Sequence, residues 1–221
     1  FLLTTPAKNS QTIDSLLTEN GTIFAPRTLG ETERVTELKL IRKRLPLKKS
    51  ILAGPFLVGP DDFRYSGETV LSIRPDSQVK SAINVAICRF SDKDDEWDWF
   101  DTVEHDGVYT AIINRNGVYA LIIDKAPPII SSVSPRNSRR VKSKTPTLTA
   151  TIEDKLSGIW VDTLFDIRLD GEWLIPEYDA EDHILRTKPN HPLKPGSHNL
   201  VITVRDNAGN KARRSVKFIV E

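Results

Sequence analysis

Along this chain apolar side chains recur at every second position in short runs, and clusters of turn-forming residues separate the runs. Phe165, Ile167 and Leu169 alternate with Asp166, Arg168 and Asp170, which is the period of a half-buried strand. Asp170-Gly171 then supplies a tight turn into Glu172-Trp173-Leu174-Ile175. Trp173 and Ile175 share one face of that strand and are expected to point inwards, and Trp160 is also expected in the core. Ala82 to Phe90 alternates in the same way, with Ile83, Val85 and Ile87 on one face and Asn84, Ala86 and Cys88 on the other. Thr22 to Ala25 and Thr69 to Arg74 read as further strands. Val108 to Ile113 and Val118 to Ile123 are two apolar runs separated by Asn114-Arg115-Asn116-Gly117, and the Asn-Gly pair predicts a tight hairpin between them.

Two stretches of the first half are less regular. In Glu33 to Arg44, Leu38, Ile41 and Leu45 would fit a helical stripe, but the β-branched content and the flanking proline favour a strand. Gly54-Pro55 and Gly59-Pro60 bracket so little apolar sequence that only a brief strand is expected there. Residues 1–20 are polar and mixed, and predict a loosely held lead-in segment.

The run ending at Asp124 stops at Lys125-Ala126-Pro127-Pro128, whose prolines cannot donate ladder hydrogen bonds, and a new apolar run starts at Ile129. Beyond it, Ile129 to Pro135, Thr147 to Ile152, His183 to Arg186, and Leu200 to Val204 join the alternating pair already described. Leu200 to Val204 is expected to pair with Ser215 to Val220 across the turn Asp206-Asn207-Ala208-Gly209-Asn210. That makes about seven short strands, the count of an immunoglobulin-like sandwich. The expected fold is all-β, with two tandem β-sandwich domains at 21–126 and 127–221, the second immunoglobulin-like.

Composition narrows the function classes. Charged residues make up 28% of the 221, and the longest uncharged apolar runs are strand-sized, far short of the ~20 residues a spanning helix needs. Thirty-one lysines and arginines against 30 aspartates and glutamates leave no global field to steer the chain to nucleic acid or an anionic membrane. Cys88, alone of its type, cannot form an internal disulfide and reads as a buried inert thiol. The chain begins at Phe1 and contains no methionine, as expected of a processed or excised piece of something larger.

Four turn signatures occur in order: Asp154-Lys155-Leu156-Ser157-Gly158-Ile159, Leu169-Asp170-Gly171, Lys194-Pro195-Gly196-Ser197-His198, and Val204-Arg205-Asp206-Asn207-Ala208-Gly209-Asn210. In this, residues 129–221 resemble the immunoglobulin-like domains of bacterial secreted and cell-envelope proteins. The first half, with Asn20-Gly21-Thr22-Ile23, Gly54-Pro55-Phe56, Asp95-Glu96-Trp97 and Asn116 to Leu121, is similar to the β-rich module that precedes such domains, as in the non-catalytic tails of some lysostaphin-type zinc peptidases. The resemblance implies a secreted, periplasmic or cell-surface location. Those peptidases use a His-x-His pair, which is absent here, so a catalytic domain is expected outside this chain.

Trp97, Trp99 and Phe100 form the candidate glycan-binding set, because a strand places Trp97 and Trp99 on one face where they could stack on sugars. Large apolar side chains more often plug a core or cover an edge, and that placement carries more weight. Asp206 and Asn210, with Asp154, offer hard oxygens for calcium, although the aspartate of such a turn more commonly accepts backbone N–H bonds. Asp92, Asp94 and Glu96 mimic a calcium loop, but Trp97 stands where glycine is needed and Val103 where the bidentate glutamate belongs. His183, His191 and His198 are too irregularly spaced for a zinc motif and are expected on the surface or hydrogen-bonded. Ser157 precedes Gly158 without a nucleophile elbow. The basic groups Lys39 to Lys49 and Arg136 to Lys144, the latter with Arg139, Arg140 and Lys142, suit an anionic envelope polymer or, more simply, edges protected against pairing.

The expected function is therefore a non-catalytic accessory or spacer region with no cofactor, whose partners are a neighbouring domain of a larger protein and cell-wall or surface glycan. Nucleic acid and a membrane span are not expected. A carbohydrate-binding or adhesin module is the alternative, and an enzyme would need residues such as Asp124 with His105 or His191 to meet at the joint. Two prolines in a short linker leave few backbone freedoms, so the two halves should hold a restricted relative orientation. Small-angle scattering of the purified chain is expected to fit a narrow distribution of inter-domain distances; a broad one contradicts the reading.

Overall fold

The computed structural model describes residues 15–18, 21–24, 37–40, 45–46, 50–59, 64–75, 84–159 and 165–221. The sequence expectations for Trp160, for Asn20 and for most of Glu33 to Arg44 lie outside them. The fold is all-β, and the chain divides into two compact units, Phe1–Asp124 and Lys125–Glu221.

The first unit contains β1 (Ser15–Thr18), β2 (Gly21–Phe24), β3 (Glu37–Leu40), β4 (Ile51–Gly59) and β5 (Arg64–Ile73). Then come β6 (Val85–Ser91), β7 (Glu96–Trp99), β8 (Thr102–His105), β9 (Val108–Arg115) and β10 (Gly117–Ile123). They form two sheets, in the orders β1-β2-β5-β9-β8 and β3-β4-β10-β6-β7. Leu71, Ile73, Tyr109, Ala111 and Ile113 of the first sheet meet Phe56, Val58, Ile87, Tyr119 and Leu121 of the second in one core, the packing of a sandwich. Within residues 1–20, expected as a lead-in, Ser15–Thr18 is a strand paired with β2.

Two expectations for this unit are corrected. β9 and β10 do not form a hairpin: β9 pairs with β5 and β8, whereas β10 pairs with β4 and β6 in the other sheet. Asn116-Gly117 therefore carries the chain across the core from sheet to sheet. The corner is tied by the Tyr119 hydroxyl, which donates to the Arg115 carbonyl at 2.6 Å. Gly117 is required there, since its φ is +147° and a Cβ would lie 3.1 Å from Arg89 Nε. Two apolar runs joined by a turn satisfy their burial equally well face to face as edge to edge, and period-two patterning does not distinguish the cases.

The other correction is β4, which is nine residues long rather than brief and contains Pro55. Its register against β10 slips between Phe56–Tyr119 and Ala53–Leu121, so Gly54-Pro55 sits in a bulge. A bulge is where a strand tolerates a residue that cannot donate to the ladder.

The second unit contains β11 (Ile129–Ser134), β12 (Arg140–Val141), β13 (Leu148–Glu153), β14 (Phe165–Leu169) and β15 (Glu172–Leu174). It continues with β16 (Glu177–Asp179), β17 (Ile184–Thr187), β18 (Gly196–Arg205) and β19 (Lys211–Val220). The sheets run β11-β13-β17-β16 and β12-β19-β18-β14-β15, with β12 parallel to β19. Ile130, Leu148, Ala150, Ile152 and Leu185 face Ile167, Leu200, Ile202, Val216 and Phe218 across a second core. β18 and β19 pair in continuous register from Gly196–Val220 to Arg205–Lys211, the hairpin expected from the Asp206 to Asn210 turn.

Phase is the correction here. Trp173 and Ile175 are 47% and 67% exposed, and Leu174 between them is 1% exposed. The turn has only Asp170 (φ +53°) and Gly171 (φ +91°), so Leu169 is paired with Glu172 and Ile167 with Leu174. Directly paired residues share a face, which sends Leu174 inwards with Ile167. Leu174→Ala should lower stability by about 2–5 kcal/mol and Ile175→Ala by no more than ~0.5 kcal/mol, as read from chemical-denaturation midpoints; the reverse ranking contradicts this register.

Candidate functional site

Trp97 and Trp99 lie on one face of β7, as their spacing predicts, but that face is covered. They are 5% and 8% exposed. Trp97 pairs with Phe90 and Trp99 with Cys88 on β6, which in turn pair with Val118 and Ala120 on β10. These side chains form an apolar layer on the side of the sheet away from the sandwich core. Phe90 meets Trp97 edge-on at 5.3 Å, and the Trp97 indole N–H donates to the Pro46 carbonyl at 3.1 Å. Phe100 follows the end of β7 and packs against the sandwich core, 6.0 Å from the Tyr119 ring. The aromatic triad is thus split over two sides of one sheet. Neither tryptophan presents a ring face to solvent, so the stacking platform anticipated from the sequence is not assembled.

Asp206 and Asn210 close their turn on themselves. The Asp206 carboxylate accepts from the Asn210 backbone N–H at 2.7 Å and from its side-chain amide at 2.9 Å. Asp154 Oδ1 accepts from the backbone N–H groups of Leu156 (3.2 Å) and Gly158 (2.8 Å) and from the Ser157 hydroxyl (3.2 Å). The two turns interlock through Asn207, whose side-chain amide donates to the Ser157 carbonyl at 2.7 Å and whose backbone N–H donates to the Gly158 carbonyl at 3.0 Å. Ser157 is fully buried in this knot. The oxygens singled out for calcium hold loop geometry here.

His105 is exposed beside Asp106 (3.2 Å), and Asp124 is buried with its backbone N–H on the Asn84 carbonyl. Cys88 is buried, and burial first, then Asp124 and Asp98, pushes its thiol well above the ordinary range, which leaves it protonated and unreactive. Arg136 and Arg139 line a cavity of ≈ 460 Å³ with Pro135, Val141 and Pro146.

What the sequence did not reveal is a cluster around His198. The Asp170-Gly171 turn and the loop from Pro189 to Lys194 enclose a cavity of ≈ 260 Å³, with His191 and His198 in its wall. His198 Nδ1 lies 2.6 Å from Asp170 Oδ2, and Nε2 lies 2.8 Å from the Lys194 carbonyl. Both partners are acceptors, so both ring nitrogens donate in the doubly protonated ring. Burial alone would lower its pKa, but the hydrogen bonds to Asp170 and Lys194 and the Asp170 charge outweigh it and raise the value above 6.5. A ring bound at both nitrogens clamps a loop and has none left to abstract a proton. Twenty-eight residues separate Asp170 from His198, and no local pattern pairs them.

No family model matches the chain, and no curated protein matches it. Among solved structures it is similar to dimeric latent PorU from Porphyromonas gingivalis, at 14% identity and a TM-score of 0.35, over 74% of this chain. It spans only 22% of the PorU chain, and a likeness of that size carries no argument. Among the described residues, no helix is long and apolar enough to cross a membrane.

The His198 clamp has a definite pH signature. Its folded pKa is raised, so its contribution to stability is complete below the unfolded value of about 6.5 and is lost as pH rises through the folded value. Thermal unfolding should show the wild type losing stability relative to His198→Asn across that window. Parallel pH profiles contradict the clamp.

Proposed function

We propose that this chain is a non-catalytic accessory region of a larger bacterial exported or cell-envelope protein, spacing or orienting a partner domain. The observation that carries the reading is where its reactive side chains are spent. Asp154, Ser157, Asp170, His198 and Asp206 are engaged in hydrogen bonds that hold the loops of a sandwich. Preorganised catalysis instead needs such groups aimed at the place where a reacting atom will sit.

Strand order supports an immunoglobulin-like assignment for the second unit. If the short β12 and β15 are set aside, the other strands take the letters A to G in chain order. One sheet then reads A-B-E-D and the other C-F-G, the constant-type immunoglobulin arrangement. Such sandwiches host many functions, so the fold favours a scaffold role only in combination with the spent polar groups. The exported location rests on the four ordered turn signatures.

The purified chain, incubated with peptidoglycan, a chromogenic ester and a protein substrate, is expected to give turnover equal to the buffer control. Hydrolysis above that control, lost on His198→Asn or Ser157→Ala, overturns the proposal.

A further inference from the structure

The side of β12-β19-β18-β14-β15 turned away from the second core carries an unusual share of the chain's positive charge. Its inward side chains are known from the core: Ile167, Leu174, Leu200, Ile202, Val216 and Phe218. Alternation and register therefore put Arg140, Arg168, Arg205, Lys211, Arg213 and Lys217 on the opposite face, where each is exposed. Three carboxylates border these six cations, and one of them, Asp170, is engaged by His198 and the Asn199 backbone N–H. Asp166 holds Arg168 at 3.0 Å and Glu221 lies 3.9 Å from Arg140. Arg205, Lys211, Arg213 and Lys217 form no ion pair among the described residues. The whole chain nets only +1, so this face concentrates a field that the total conceals.

The floor between the long cations is shallow, with half-buried Val201 and Ile219 set among polar side chains. Asn199, Thr203 and Ser215 stand there, with the Ser215 hydroxyl donating to Asn199 Oδ1 at 2.9 Å. A row of directly paired residues, Ser215, Val201, Arg168 and Trp173, crosses it and ends at the exposed indole. The backbone beneath it is tied down, the Trp173 carbonyl accepting from the Asn190 side-chain amide at 3.0 Å. Five strands at about 4.8 Å give a strip roughly 20 Å across, and ten-residue strands make it about 33 Å long.

We propose that this face binds an anionic polysaccharide, its carboxylate or phosphate groups meeting the unpaired cations and one sugar ring stacking on Trp173. A polyhydroxylated chain suits a floor of hydroxyl and amide groups. A bilayer is the poorer match, since the exposed apolar side chains, Trp173 and Ile175, lie at one edge, and Val201 and Ile219 further in are half-buried among polar and charged neighbours. Single-stranded nucleic acid is the poorer match too, since successive bases need several stacking rings and the described residues of this face offer one, Trp173. The inference goes beyond the accessory role and stands independently of it: a spacer need bind nothing, and a glycan-binding face need not space anything.

The test uses the full chain and titration calorimetry with alginate, a linear uronate polymer, against neutral dextran. Alginate should bind and dextran should not. Raising salt from about 20 to about 300 mM should weaken binding about tenfold or more, as paired mobile charges are screened. Arg213→Glu with Lys217→Glu should abolish binding, and Trp173→Ala should weaken it roughly three- to tenfold. Lys93→Glu with Lys125→Glu, exposed residues outside the five strands of this sheet, make the same charge change and should leave binding intact. Unchanged circular dichroism spectra and melting temperatures separate lost binding from lost folding. Silence with alginate, equal loss in the Lys93/Lys125 pair, or tighter binding to phosphatidylglycerol vesicles or single-stranded DNA overturns the proposal.

Discussion

The Asp170 carboxylate is the interaction on which the second unit depends most. One oxygen accepts the Asn199 backbone N–H at 2.7 Å and the other lies 2.6 Å from His198, so the residue that makes the β14–β15 turn also bolts that hairpin to β18. The turn itself admits only two residues, both with positive φ, and that length leaves one register. From it follow the burial of Leu174, the exposure of Trp173 and the composition of the outer face. A single added residue would exchange the two faces of β15, because side chains alternate strictly along a strand.

The first unit rests on a different constraint, the burial of β6 and β10 on both sides. Along β6 every side chain is buried. Val85 and Ile87 face the sandwich core, and Ala86, Cys88 and Phe90 face the layer completed by Trp97 and Trp99. Strands so placed read as continuous apolar runs, as Val118 to Ile123 does. Part of their cost is geometric, beside that of burying Arg89 against Asp98. The chain must turn a corner at Asn116-Gly117 and absorb Gly54-Pro55 in a bulge, and glycine at each place takes a backbone angle other residues resist.

These constraints bear on function by deciding which groups remain free to meet a partner. Carboxylates and histidine that look reactive in the sequence are consumed in loop knots around Asp154, Asp170 and Asp206. Aromatics that look like a sugar platform fill an interior. Left outside in the second unit is a broad sheet face with long cations and one exposed indole. Interaction sites on sandwiches are grafted on the exposed side of a scaffold whose inward side is devoted to packing.

Most strand positions, the β18–β19 hairpin and the buried character of Cys88 were legible in the sequence, because alternation, turn chemistry and apolar content are local properties. Three things were not: that β9 and β10 belong to different sheets, that Trp173 faces out and Trp97 in, and that His198 meets Asp170. Each concerns which distant segment a residue faces. An alternating strand specifies that one side is buried, not which partner buries it, and a side with apolar residues in both phases, as at Trp173-Leu174-Ile175, does not even specify the side. Only the closed pairing of whole sheets, with turn lengths fixing every register at once, decides those questions.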